Sequence, residues 1–189
     1  IESAETIRVV GQNPGPNHPR LLCALQVAVR SGAEILAVNP MKEAGLVGFA
    51  HPQEISGMMG ISTPLTSQFL RVNVNGDFAL FRGLNKALLD LEEKTPGSVI
   101  DATFLDQYTV GLDPFLETVR KTEWGLIEEQ SGLSEDVIGQ AANSIARGER
   151  KVITCWAMGL TQHHNAVSTI REVVNLHLLL GCLLYTSDA

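Results

Sequence analysis

Residues 6–38, TIRVVGQNPGPNHPRLLCALQVAVRSGAEILAV, decide the fold. Thr6 to Gly11 is a β-branched run that ends in glycine, which predicts a strand. A loop with three prolines (Pro14, Pro16, Pro19) and Gly15 follows. From Leu21 to Ser31 the apolar residues recur at 21, 22, 25, 28 and 29, a helical period, and Gly32 closes the helix. Glu34 to Val38 reads as a second buried strand, ended by Asn39-Pro40. Strand, loop, helix and strand in so short a stretch mark two parallel strands joined by a crossover helix. The predicted class is α/β and Rossmann-like: a mainly parallel sheet, flanked by helices on both faces, in one domain.

Further along, residues 41–67 are irregular, and an ordered loop of that length points to function. Phe69 to Val74 predicts a third strand. Asn75-Gly76-Asp77 then turns the chain into a strong helix, Phe78 to Glu93, with Asp77 placed as its N-cap. Residues 101–136 hold nine acids and two bases, which accounts for all of the net charge of −7. They read as short helices with solvated acidic faces, and one more helix runs from Ser134 to about Arg147. Lys151 to Trp156 predicts a fourth strand. The loop Ala157–Gln162 and a long apolar helix, His163 to Leu180, follow it.

The chain has 189 residues, 44% hydrophobic and 19% charged, as a folded globular domain does. The acidic balance excludes a nucleic-acid partner, because phosphate backbones need clustered Lys and Arg. No window of about 18 uninterrupted apolar residues exists to insert into a membrane. Cys23, Cys155 and Cys182 form no CxxC pair, which argues against a disulfide scaffold and against an internal zinc or iron–sulfur site. His163-His164 is no metal pair, since adjacent helical residues point about 100° apart.

In an open parallel sheet, ligands bind at the carboxyl ends of the strands. Gly11–His18, Asn39–Pro40, Asn75–Asp77 and Met158–His164 occupy those positions. They are rich in Gly, Asn, Asp, Gln, Thr and His. Small residues admit a ligand to the backbone, and amide side chains read base edges and ribose hydroxyls. Helix starts at Pro19, Asp77 and His163 would offer N–H groups to phosphate. The usual nucleotide motifs are missing: the first strand is followed by GQNPGPN in place of G-x-G-x-x-G, and no P-loop or G-x-S-x-G occurs. A nucleotide-bearing cofactor held by backbone and neutral side chains is the expectation, with no catalytic residue and no metal ligand. Trp156 reads equally well as a cofactor cover or as core.

VVGQNPGPNHPR (9–20), AVNPMKEAGL (37–46), VNGDFALFRGLNKALL (74–89), DATFLDQYTVG (101–111), WGLIEEQSGL (124–133) and above all CWAMGLTQHHNAVSTIREVVNLHLLLG (155–181) resemble one family. It is the large (alpha) subunit of molybdopterin oxidoreductases, in the formate-dehydrogenase-like branch of the DMSO reductase family. The resemblance runs in order from about Ile1 to Gly181. It implies a bis-molybdopterin guanine dinucleotide cofactor carrying molybdenum or tungsten, with this domain, residues 1–181, holding one guanine dinucleotide arm. By match of motif, Gly11, Asn13, Asn17 and His18 line the phosphate and pterin side. Asn39 and Pro40 face the guanosine, although family members often carry Asp where Asn39 stands. Gly76 and Asp77 approach the guanine or ribose, and Met158, Gly159, Thr161 and Gln162 the pterin end.

The resemblance also implies what lies elsewhere. A 4Fe-4S cluster and the Cys or selenocysteine on the metal belong upstream of Ile1. The partners are the remainder of the subunit, an electron-transfer subunit and a small-molecule substrate, with formate as the default; the location is cytoplasmic, the branch default. Residues 182–189, CLLYTSDA, match what one reading frame of a sequencing-library adapter encodes and are read as a non-native tail. Two other readings stand beside this one. One is a non-catalytic iron–sulfur subunit like that of respiratory NADH dehydrogenases, against which Asn13, Asp77 and Gln162 argue. The other is a generic nucleotide-binding module.

Overall fold

A computed structural model describes residues 1–146 and 151–182. The elements run β1 (Thr6–Val10), α1 (Pro14–Asn17), α2 (Pro19–Arg30), β2 (Glu34–Val38), α3 (Ala44–Val47), β3 (Gly48–Phe49), α4 (Ile55–Met58), β4 (Thr63–Pro64) and β5 (Gln68–Leu70). Then come α5 (Asp77–Lys94), α6 (Ala102–Tyr108), α7 (Leu112–Lys121), α8 (Trp124–Ser131), α9 (Glu135–Ala146), β6 (Val152–Trp156), α10 (Met158–Thr161) and α11 (Ala166–Leu179).

Four strands form one parallel sheet in the order β5-β2-β1-β6, while β3 and β4 make a separate antiparallel pair. Thr6–Val10 lies in register with Glu34–Val38 on one side and with Val152–Trp156 on the other. The chain winds outward from β1 through β2 to β5, then crosses back to β6. That reversal makes the space between the ends of β1 and β6 the switch point of the sheet, where α/β folds bind ligands.

Alternation along the strands sorts the core into two layers. Ile7, Val9, Ile35 and Ala37 pack with Leu22, Leu25 and Ala28 of α2 on one face. Val10, Leu36, Val38 and Leu70 pack on the other face with Leu80, Phe81 and Leu84 of α5, Ile138 of α9, and Val173 and Leu176 of α11. Both faces are covered, as the helical periods predict. A buried ion pair ties α5 to α11: Arg82 Nη2 lies 2.5 Å from Glu172 Oε1, and Asn85 Nδ2 donates to Glu172 Oε2 at 2.9 Å.

The structure departs from the sequence reading at several element ends. β5 stops at Leu70, because Asn73 N–H leaves the sheet and donates to Ser131 O at 2.8 Å. Asp77 is the first residue of α5 and makes no capping bond, with Gly76 in the cap position. Residues 158–161, read as loop, form the short helix α10, and α11 starts at Ala166, three residues after His163. The helix read from Ser134 ends at Ala146 in the described part; Arg147 and residues 183–189 of the predicted tail lie outside the described residues.

Asp101 does cap a helix. Its Oδ1 accepts from Phe104 N at 2.9 Å, and its own N–H donates to Leu179 O at 3.0 Å. Asp101→Ala is expected to cost about 1 kcal/mol in urea unfolding, the usual worth of an N-cap.

Candidate functional site

At the switch point the backbones of two loops touch. Gly159 N–H donates to Gly11 O at 3.2 Å. A Cβ on Gly159 would lie 2.5 Å from Gly11 O, and one on Gly11 would lie 2.9 Å from Gly159 C. Gly11 also has φ of +56°, a left-handed conformation that favours glycine. These loops meet only because β1 and β6 pair in register up to Val10 and Trp156.

Beside this contact lies a cleft of about 510 Å³. Gly11, Gln12, Asn13, Asn17 and His18 line it from the loop after β1. Asn39 and Glu43 line it from the segment after β2, and Ala157, Met158 and Gly159 from the segment after β6. This lining carries no Lys or Arg. Its polar groups brace one another. Asn39, 6% exposed, donates from Nδ2 to Gln12 O at 3.0 Å. Asn13 Nδ2 donates to Glu43 Oε2 at 2.5 Å, and Asn17 Nδ2 to Asn13 O at 3.0 Å. Gln12 Nε2 donates to His18 Nδ1 at 3.3 Å, while buried Gln12 Oε1 has no partner among the described residues.

A second polar group sits at the start of α5. Asp77, 5% exposed, has Oδ2 3.9 Å from His163 Nδ1. Burial raises the Asp77 carboxyl above its ordinary range, and His163 partly opposes this. His163 Nδ1 and Asn165 Oδ1 are buried without hydrogen-bond partners among the described residues.

Seven of the twelve residues singled out from the sequence therefore line one cleft: Gly11, Asn13, Asn17, His18, Asn39, Met158 and Gly159. The other five lie outside its lining. Pro40 is exposed and its carbonyl accepts from Arg71 Nε at 3.1 Å. Gly76 is packed against α8, where a Cβ would fall 2.6 Å from Gln130 O, and Asp77 faces His163. Thr161 and Gln162 are exposed, with Gln162 Nε2 3.6 Å from Met158 Sδ. Gln12, Glu43 and Ala157 join the lining without having been singled out. Gln12 could have been found, since it stands between two chosen neighbours at a strand tip. Glu43 carries no local signal: α3 brings it to Asn13 by packing Gly45 on Gly15, so closely that a Cβ on Gly45 would lie 2.9 Å from Gly15 Cα. Among the described residues no group of three or more His, Cys, Asp or Glu could hold a metal ion, and no helix is long and apolar enough to cross a membrane.

Comparison with known proteins identifies relatives over nearly the whole chain, although no family model matches it. An uncharacterized oxidoreductase of Mycobacterium tuberculosis is 42% identical over 183 residues, 97% of this chain and 23% of that protein. Formate dehydrogenase H of Escherichia coli is 27% identical over 190 residues, 97% of this chain and 22% of that enzyme. Acetylene hydratase from Pelobacter acetylenicus shares the fold, with a TM-score of 0.77 over 99% of this chain and 23% of that one, at 17% identity. The chain thus spans about a quarter of the length of the proteins it matches. Over nearly its whole length the chain is thus similar to part of a group of oxidoreductases that includes formate dehydrogenase H, and it has the fold of part of acetylene hydratase.

Proposed function

We propose that the chain is part of a molybdenum-dependent, formate-dehydrogenase-like oxidoreductase. Its switch-point cleft binds one guanine dinucleotide arm of a bis-molybdopterin guanine dinucleotide cofactor carrying molybdenum or tungsten. The observation that carries this reading is the bare backbone contact of Gly11 with Gly159 beside an amide-lined cleft.

The donor set fits such a group. Without Cβ atoms, Gly11 and Gly159 let a diphosphate and pterin approach the main chain. Asn13, Asn17 and Asn39 each offer donors and acceptors, as base and ribose edges require. The unpartnered Oε1 of buried Gln12 calls for a donor, since a buried polar atom left alone is costly. Glu43 suits a hydroxyl or ring N–H and not a phosphate. A cleft of this volume is of the size that holds a small organic ligand, enough for part of a dinucleotide.

On this reading His18 joins the phosphate and pterin side, and Pro40 lies toward the guanosine beside Asn39. Gly76 and Asp77 extend the guanine and ribose end, while Met158, Thr161 and Gln162 extend the pterin end. When bound, the cofactor supplies two-electron redox chemistry; the residues of this chain hold and orient it. The 4Fe-4S cluster, the metal-ligating residue, the substrate pocket and any contact to an electron-transfer subunit belong to the rest of the parent, which is cytoplasmic on this reading. Residues 1–181 form the domain, and 182–189 are a non-native tail.

Elemental and nucleotide analysis of the full-length parent tests the reading. Molybdenum or tungsten is expected, with guanine nucleotide released on acid hydrolysis. Asn13→Ala is expected to lower both roughly tenfold, the worth of one or two hydrogen bonds, with an unchanged far-ultraviolet spectrum. Adenine in place of guanine, or metal-free active protein, would refute it. The 189-residue chain alone is expected to oxidise no formate, and molybdenum-dependent turnover by it would overturn that part.

A further inference from the structure

β6 is an end strand of the sheet, yet it is built as an interior one. Its five residues, Val152-Ile153-Thr154-Cys155-Trp156, include no charge and no proline. Natural edges are blunted by brevity, charge, proline or covering groups. The opposite edge obeys that rule: β5 has three residues, and its Gln68 donates from Nε2 to Val137 O at 3.4 Å. All-parallel sheets also place strands of this composition between neighbours.

Hydrogen-bond parity shows which groups of β6 are free. Thr6 N–H donates to Lys151 O, so residues 151, 153 and 155 face β1. Val152, Thr154 and Trp156 therefore turn their N–H and C=O groups outward, and among the described residues β6 pairs with β1 alone. At the foot of the strand Cys182 occupies the outward groups of Val152, accepting from its N–H at 3.4 Å and donating to its C=O at 3.3 Å. Among the described residues the outward backbone groups of Thr154 and Trp156 have no equivalent. α11 has returned the chain to the foot of β6, the polarity from which a right-handed crossover adds a parallel strand. That geometry rests on where α11 delivers the chain, whichever residue the parent carries at 182.

We propose that the open edge of β6 is a docking site for one further parallel strand supplied by the remainder of the parent chain. The occupant is the parent itself because the chain spans only about a quarter of its relatives' length and arrives at this edge with parallel polarity. A second copy related by a twofold axis would present β6 antiparallel to β6. A strand rising about 3.3 Å per residue needs only about five residues to climb from Val152 to Trp156. Its upper end reaches the level of Ala157 and Met158 on the rim of the cleft. The added strand therefore carries residues from outside 1–182 to the open side of the switch point. This inference does not depend on which ligand the cleft takes.

Residue-resolved hydrogen exchange on the full-length parent tests it without any variant. The amides of Thr154 and Trp156 are expected to exchange at least about a hundredfold more slowly than unstructured amides, like those of Ile153 and Cys155, at every protein concentration. Exchange of Thr154 and Trp156 within about tenfold of the unstructured rate, with Ile153 and Cys155 slow, would show a bare edge and overturn the proposal. Protection that disappears on dilution would identify a second copy as the occupant and overturn it too.

Discussion

Replacing Gly159 by valine is expected to lower the cofactor content of the full-length parent at least about tenfold while most of its helical signal remains. The Cβ would sit 2.5 Å from Gly11 O and 2.9 Å from Gly11 Cα, well inside contact distance. Both groups are main chain, so no side-chain rotation relieves the clash. Gly11 cannot yield easily, because its φ of +56° and its bond to Val38 O at 2.9 Å hold it at the end of β1. The two loops must separate, and they are two walls of one cleft. Displacing a binding group by about 1 Å is enough to cost on the order of a hundredfold in function. The accompanying loss of stability is about 1–3 kcal/mol, as for other overpacked sites. Gly125→Ala is the control: a Cβ there meets nothing within 4 Å, and alanine in α8 is expected to stabilise by about 0.5–1 kcal/mol. Metal and guanine per subunit, with the thermal midpoint, are the readouts. Full loading with an unchanged midpoint in Gly159→Val would remove the central argument for the cleft.

Arg8→Met is expected to stabilise the chain by roughly 1–4 kcal/mol at pH 7, although it deletes a residue of the central strand. Arg8 is fully buried in mid-β1, and no carboxylate among the described residues pairs with it. Its Nη2 donates to His177 Nε2 at 3.0 Å, its Nε and Nη1 have no hydrogen-bond partner among the described residues, and Phe81 lies 5.8 Å away. Because a guanidinium N–H only donates, Nε2 is the accepting nitrogen of a neutral imidazole, and Thr154 Oγ1 lies 2.8 Å from the same atom. Burial lowers the Arg8 guanidinium to about 9, with Cys182 opposing. Burial, then the Arg8 charge, lowers His177 to about 3.

The signs follow. The folded state binds the Arg8 proton more weakly than the unfolded one, so the penalty is full below about pH 9 and fades as pH rises from there toward the ordinary guanidinium range. For His177 the two states agree above pH 6.5. Between 6.5 and about 3 the unfolded chain takes a proton that the folded one refuses, and stability falls by up to about 1.4 kcal/mol per pH unit. Removing Arg8 relieves part of that depression, so urea midpoints of Arg8→Met should fall less steeply between pH 6 and 4. A destabilised Arg8→Met with an unchanged acid slope would show that the guanidinium is satisfied.

Legibility followed the range of the forces involved. β1, α2 and β2 were readable to within two residues, because a β-branched run and a helical period are local signals. The stretch FLRVNV alternates like a strand, but pairing of Asn73 with Ser131 ends it early, and that partner is far away in sequence. Polar His163, His164 and Asn165 precede α11 rather than open it. In the cleft, Gly11, Asn13 and Asn39 were legible because strand ends of a parallel sheet point to one place. Glu43 was not, because the Gly15–Gly45 contact that delivers it depends on packing and not on any pattern around residue 43.

Pairing β1 with β6 also sets a timetable. Val10 leaves the ribosome long before Val152 is made, at roughly 5–20 residues per second. For roughly 7–30 s the outer side of β1 has no partner and the cleft has one wall missing. Ligand capture during synthesis is thus confined to the time after β6 has been made, and the growing chain needs protection of that exposed strand from neighbours until then.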